Sequence, residues 1–228
     1  MPASRVSVIV PCLDERADLP RTLRRLRRLM PEAELIVADG GSADGSFEMA
    51  QHLARVVRAP GGRGPQMNSG AAAASGDVLL FLHADARLRA DPTAAIEAGL
   101  ARTGCVAVYF RQRIRARGTC YRCIEQAALA RARFAGWMLG DLGLAVRREQ
   151  FLAVGGYPAQ ALFEDLGISR RLRRHGGFVC CPLRLFVSAR RWQRRGVLRT
   201  TLRNWGLTVG YYLGVPVQRL AEHYRTVR

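Results

Sequence analysis

Through the first half of this chain, short apolar runs alternate with segments whose apolar residues recur every three or four positions. Residues 6–10 form a β-branched apolar run interrupted only by Ser7, the pattern of a strand covered on both faces. Asp18 then stands where it can cap a helix, Pro20 falls in the first turn, and Leu19, Leu23, Leu26 and Met30 recur at helical spacing with arginines between them. Residues 35–38 predict a second strand, 46–53 a short helix and 55–57 a third strand. After the glycine-rich loop 59–65, an alanine-rich helix is expected over 66–74, and 77–82 reads as the central, most buried strand. Four strands alternating with three helices imply right-handed βαβ crossovers and a parallel sheet.

The second half is less regular. Asp91-Pro92 opens another helix, and strand character resumes over 106–110. A helix over 120–134 precedes the glycine-containing segment 140–146, the turn Gly155-Gly156-Tyr157-Pro158 and a helix over 165–174. From 197 to 217 the chain is apolar but interrupted by Arg199, Arg203 and three glycines, with Trp205, Tyr211 and Tyr212 among the apolar positions. That is too broken to cross a bilayer. Arginines beside aromatics suit an amphipathic helix lying on anionic lipid, and a helix packed on its own domain has the same pattern. The expected organisation is a domain over 1–196, its halves meeting at about residue 104, followed by a C-terminal helical segment over 197–228.

Composition narrows the partners. The 228 residues carry 36 basic side chains, every one an arginine, against 18 acidic ones, for a net charge of +18. Such a balance favours anionic partners: nucleic acid, anionic lipid or a sugar-nucleotide diphosphate. The arginines are spread over several helices, and no RNP-type aromatic strand, finger spacing or KH loop accompanies them, so no nucleic-acid partner is expected. With no secretory pattern at the first residues, a cytoplasmic protein is expected, with peripheral attachment to the inner membrane face left open. The six cysteines then read as reduced thiols. Cys120-Tyr121-Arg122-Cys123 has metal-ligand spacing, but no second pair completes a zinc site.

Chemistry concentrates where strands end. Glu15, in Pro11-Cys12-Leu13-Asp14-Glu15, could hydrogen-bond ribose or base, or simply sit at a helix N-terminus. Asp39 ends the second strand and is followed by two glycines, which leave room for a ligand to approach the backbone. Asp44-Gly45-Ser46 reads as a turn and cap. Asp85 follows the central strand and is the best metal candidate, since a divalent cation held by one or two carboxylates plus phosphate oxygens neutralises a diphosphate leaving group. His83 could assist, better with manganese than magnesium.

Together, residues 11–15, 39–46, Gly62-Arg63-Gly64-Pro65-Gln66-Met67-Asn68, Leu82-His83-Ala84-Asp85, Phe163-Glu164-Asp165 and Arg190-Arg191-Trp192 resemble a family 2 glycosyltransferase of the GT-A fold, in the same order along nearly the whole chain. The resemblance implies an α/β fold with a Rossmann-like, mostly parallel sheet flanked by helices. It implies a nucleotide-binding half about 1–104 and an acceptor half about 105–196, with Asp39 at the nucleobase and Glu15 at the nucleotide. Pro11, Arg63, Gln66, Asn68, Ala84, Arg191 and Trp192 become donor-site candidates, and Asp85 the metal ligand as last acid of the family's DxD signature. Asp165, preceded by Glu164, becomes the catalytic base. His83 replaces the first acid of DxD, and only Arg191-Trp192 remains of the QxxRW motif of processive members, which points to transfer of a single sugar.

Gly140-Asp141-Leu142-Gly143 and Ser188-Ala189-Arg190-Arg191-Trp192, with the segments around His83 and Asp165, are similar to a small bacterial subgroup linked to arsenosugar biosynthesis. The implied activity is inverting, metal-dependent transfer from a nucleotide-sugar donor to a small-molecule acceptor hydroxyl, with Mn2+ or Mg2+. A lipid-linked acceptor at the membrane surface is the alternative. A sugar nucleotidyltransferase needs a cationic glycine-rich loop after the first strand, where this chain is acidic, and no GxGxxG follows any strand to support a dinucleotide enzyme.

Overall fold

The computed structural model describes residues 4–224. A seven-stranded sheet runs through the molecule in the order β3-β2-β1-β4-β6-β5-β7. Its strands are β1 (Val6–Cys12), β2 (Glu34–Asp39), β3 (Arg55–Arg58), β4 (Val78–Phe81), β5 (Cys105–Ile114), β6 (Leu144–Arg147) and β7 (Gly177–Val187). The first four pair in parallel, as the alternation of strand and helix predicts. β6 lies antiparallel between β4 and β5, and β7 pairs in parallel with β5 at the far edge.

All seven residues of β1 and all four of β4 are buried. Val6, Val8 and Val10 face one apolar layer while Ile9 faces the other, so the apolar run reflects cover on both sides. On the first side α1 (Leu19–Leu29) turns Leu19, Leu23 and Leu26 inward and Arg21, Arg24, Arg27 and Arg28 to water. Full burial of a leucine contributes about 2 kcal/mol, so this stripe, rather than helix propensity, holds α1 in place. Asp18 precedes α1 but makes no side-chain cap; its carboxylate instead lies 3.5 Å from Arg190 and 3.9 Å from Arg87. The Asp44 turn forms as expected, accepting hydrogen bonds from the Ser46 amide and hydroxyl.

The other side is covered by α3 (Arg63–Ala73) and α7 (Glu164–Arg173), with α5 (Thr119–Ala130) continuing into a wide π turn, Arg131–Ala135. α2 (Ser46–Gln51), α4 (Thr93–Leu100) and α6 (Arg148–Ala153) complete the connections. After α8 (Arg190–Arg195), the C-terminal segment forms two helices among the described residues, α9 (Val197–Tyr212) and α10 (Val217–His223). Leu207 and Leu220 pack on Leu162, Phe163 and Leu166, so α9 and α10 rest on the entry to α7. Residues 225–228 of the expected C-terminal segment lie outside the described residues.

Candidate active site

Chain order reverses between β1 and β4, and in an open α/β sheet the crevice beyond the carboxyl ends at such a point is where ligands bind. Pro11 of β1 and His83 just past β4 line a cavity there, closed on its other sides by Gly140, Tyr157, Glu164 and Asp165. Its volume is ≈ 20 Å³, room for about one water. Thus the strand-end residues and the acids of α7, separated widely in sequence, share one space.

Asp165 is buried in the first turn of α7. Its two oxygens accept hydrogen bonds from the Gly140 and Leu166 amides, each at 2.8 Å. Burial, and then the Glu164 carboxylate beside it, push its pKa up to about 6, against the pull of Arg63 and the two amides. Glu164 is itself buried and accepts a 2.7 Å ion pair from Arg63 Nε. That contact holds Arg63 firmly protonated. Phe163, which leads into α7, adopts a left-handed conformation (φ 61°), a strained geometry for a bulky residue of the kind that recurs at functional sites.

His83 abuts Gly140 so closely that a Cβ there would overlap its Nε2. Burial, followed by the positive charges of Arg63 and Arg191, pushes the imidazole pKa down to about 4, so the ring is neutral near pH 7. Opposing that shift is Asp141, whose Oδ2 accepts from Gln112 Nε2 at 2.5 Å and whose Oδ1 is buried with no partner among the described residues. Asp141 was not a candidate from sequence, because its role depends on the Gly140–Leu142 turn being folded against β5, β7 and the His83 ring. Asp85, partly buried, has no side-chain hydrogen bond among the described residues and faces the charge of Arg115. Among the described residues no three His, Cys, Asp or Glu side chains could hold a metal alone. One carboxylate with a neutral imidazole two residues back suits a cation that keeps waters and takes its remaining oxygens from a phosphate.

The other strand-end candidates divide into those with free polar atoms and those bound into the fold. Asp39 is fully buried at the end of β2. Its Oδ2 accepts from the Gly41 and Ser42 amides at 3.0 and 3.1 Å, a turn that Gly41 permits through its positive φ. Its Oδ1 is buried with no partner among the described residues. Gln66 donates to the Cys12 carbonyl at 2.7 Å, and Asn68 exchanges hydrogen bonds with the Tyr157 backbone at 2.8 and 2.9 Å. These amides fasten α3 to the site walls. The Ala84 carbonyl accepts from Thr22, and Glu15 is half-buried with its amide bonded to Ser46 Oγ.

Arg191 faces His83 electrostatically and bonds the Tyr224 hydroxyl, over whose ring it also lies at 5.2 Å. Trp192 packs on the apolar layer shared with Leu82 and Val187. The arginine thus acts on the crevice through its charge on His83 without lining it, while the tryptophan anchors the start of α8. Cys120 and Cys123 are exposed free thiols on α5.

Glu164 and Asp165 line the cavity, whereas Glu15, Asp39 and Asp85 do not; a mixed sheet in this order, with those two acids facing Pro11 and His83 at the β1/β4 switch, defines an α/β protein of the GT-A glycosyltransferase type. The family model Glycosyl transferase family 2 matches residues 7–126, more than half the chain, and the chain belongs to that family. Among solved structures it is similar to a mannosyltransferase from Pyrobaculum calidifontis in complex with GDP-Man and Mn2+ (TM-score 0.65, 20% identity, covering 80% of this chain and 56% of that one). It is also similar to glucosyl-3-phosphoglycerate synthase from Mycobacterium tuberculosis (TM-score 0.58, 22% identity, 81% and 70% covered). At these identities the likeness is one of fold. The polyprenol monophosphomannose synthase of Mycolicibacterium smegmatis is 38% identical over 53 residues, 23% of this chain and 20% of that protein. The chain therefore spans about a fifth of that curated relative and little more than half of the mannosyltransferase.

Proposed function

We propose that this protein transfers a single sugar, with inversion, from a nucleotide-diphosphate donor to an acceptor hydroxyl. The observation that carries this reading is the enclosure of Asp165 with Pro11 and His83 in one cavity at the β1/β4 switch. A carboxylate pushed up to about 6 is ionised at neutral pH and still holds a proton better than an exposed aspartate. Asp165 then takes the proton from the acceptor hydroxyl as the oxygen attacks the anomeric carbon opposite the nucleotide. No covalent enzyme intermediate is required.

The nucleotide lies across the ends of β1, β2 and β4. The unpartnered Oδ1 of Asp39 is free to accept a base N–H, and Glu15 stands at the mouth of the crevice. Asp85 holds a divalent cation, Mn2+ or Mg2+, with His83 as a neutral second donor. When bound, that cation stabilises negative charge on the departing diphosphate. Arg63 and Arg191 add fixed positive charge beside the same position. The Mn2+ and GDP-Man in the similar mannosyltransferase structure support this arrangement.

For the acceptor, the likeness of residues 82–85, 140–143 and 163–165 to the arsenosugar-linked subgroup supports a small molecule. A lipid-linked acceptor is the second reading, favoured by the exposed apolar side chains of α9, which rests on the entry to α7 that carries Asp165. Among the described residues no helix is long and apolar enough to cross a membrane, so such an acceptor would be met at the surface. Product analysis with the identified donor tests both. Sugar appearing only in an organic-phase product supports the lipid, and sugar appearing only on a water-soluble acceptor refutes it.

A further inference from the structure

The helix α9 buries one side and exposes the opposite one. Thr200 and Leu207 face the domain, whereas Leu198, Leu202, Trp205 and Val209, at spacings of four, three and four, point away from it. Leu198 is 73% exposed and Leu202 62%, and the stripe continues into Leu213 at 79%. A packed helix conceals such a stripe; here nothing among the described residues covers it.

Beside the stripe lies a cleft of ≈ 400 Å³ lined by Arg195, Arg199, Thr200, Arg203, Glu222 and His223. Three arginines meet a single carboxylate there. Arg203 Nε and Nη2 and Thr200 Oγ1 are buried with no hydrogen-bond partner among the described residues, and Thr200 is only 1% exposed. Arginine guanidinium groups and a hydroxyl converging around a single carboxylate, with these donors unpartnered among the described residues, suit the several oxygens of a phosphoryl group.

At about 3.6 residues per turn Arg199 stands about a quarter-turn around α9 from the stripe, and Arg203 and Thr200 lie further round, towards the side that faces the domain. On a bilayer, that places guanidinium groups at headgroup depth while the apolar side chains reach the acyl boundary. A free anion would satisfy the cleft and leave the stripe in water, and a nucleic acid would leave the leucines unused.

We infer that the cleft of Arg195, Arg199, Thr200 and Arg203 takes the phosphate group of an anionic phospholipid while the apolar stripe of α9 lies in the bilayer interface. Docked in this way, α9 and α10 hold the α7 entry, and Asp165 with it, beside the membrane surface, because Leu207 and Leu220 pack on Phe163 and Leu166. That consequence rests on the lipid-acceptor reading above, whereas membrane binding itself does not.

The test is flotation of the full chain with vesicles of phosphatidylcholine alone and of equal parts phosphatidylcholine and phosphatidylglycerol. Binding to the mixed vesicles only is expected. Replacing Arg195, Arg199 and Arg203 together by Gln should weaken partitioning on the order of 100-fold, at about fivefold per arginine near an anionic surface. Leu202→Gln with Val209→Gln, on the exposed side, should also release the protein while leaving thermal unfolding unchanged. Wild type remaining in the soluble fraction with both vesicles overturns the inference, as does binding that neither set of substitutions weakens. Stabilisation by inorganic phosphate without flotation, or RNA binding without flotation, overturns it in favour of a soluble anion. Donor binding is read separately by thermal shift, so failure of one reading is distinguishable from failure of the other.

Discussion

Replacing Asp165 by Asn separates the chemistry of the proposed base from its place in the fold. Asn retains an oxygen to accept from the Leu166 amide, but its NH2 faces the Gly140 amide, so one hydrogen bond of about 1 kcal/mol is lost. Removing the charge beside Glu164 offsets that loss, because this neighbour helps raise the aspartate's pKa. Thermal unfolding at pH 7 should therefore move by only a few degrees. Turnover should fall about 100- to 10,000-fold, or about 3–5 kcal/mol in the barrier, the usual contribution of a positioned base. In the wild type, kcat/KM should rise with pH through about 6 and level above it.

The same group sets a stability slope of known sign. Its folded pKa, about 6, lies above the ordinary 3.8, so the folded state binds the proton more tightly. The stability this contributes is present below about pH 4 and is lost as pH rises to about 6, by roughly 3 kcal/mol. Denaturation of wild type and Asp165→Asn across that window should show the wild type losing stability relative to the variant. The kinetic assay is release of nucleoside diphosphate from the donor, followed with acceptor present. A folded Asp165→Asn protein keeping more than about a tenth of wild-type kcat/KM would refute the assignment of the base.

Other consequences follow from individual contacts. Arg63→Gln strands the buried Glu164 carboxylate and should cost about 3 kcal/mol of stability, read by denaturant unfolding; a loss under about 1 kcal/mol would contradict the ion pair's importance. Asp141→Asn removes the charge that opposes Arg63 and Arg191 at His83, so the imidazole pKa should drop further below about 4 in an NMR titration, and an unchanged value would separate the two residues. Gly140→Ala places a Cβ against His83 Nε2 and should lower stability by about 1–3 kcal/mol with the ring displaced; an unchanged Tm would show that the turn yields freely.

β1, β2 and β4 were legible because a buried parallel strand reads as an apolar run, β3 at the exposed edge shows only its Val56-Val57 pair, and α1 shows its stripe regardless of partners. β6 is only four residues and owes its antiparallel place to β4 and β5, a long-range choice with no local mark. β7 is an edge strand with mixed burial, containing Pro182 and a register shift opposite Phe110/Arg111, so its alternation is broken. Among the site candidates, Asp39 and Asp85 could be picked out by their positions at strand ends, and Asp165 only through the resemblance of Phe163-Glu164-Asp165 to the family. The enclosure of Asp165 against His83, the open oxygen of Asp141 and the Arg191–Tyr224 contact arise only when four distant segments meet. Asp18 shows the converse: its cap position is correct, but two arginines distant in sequence compete for the carboxylate.

The most direct measurement is a thermal-shift panel of nucleoside diphosphates and sugar nucleotides, each with and without Mn2+ or Mg2+, on wild type and Asp85→Ala. A ligand at one hundred times its Kd stabilises the fold by about 2.7 kcal/mol, or roughly 5–10 °C in a chain of this size. A metal-dependent shift with one nucleotide series, absent in Asp85→Ala, is the predicted result and names the donor base. No shift with any nucleotide, or a shift that Asp85→Ala leaves intact, would contradict the account.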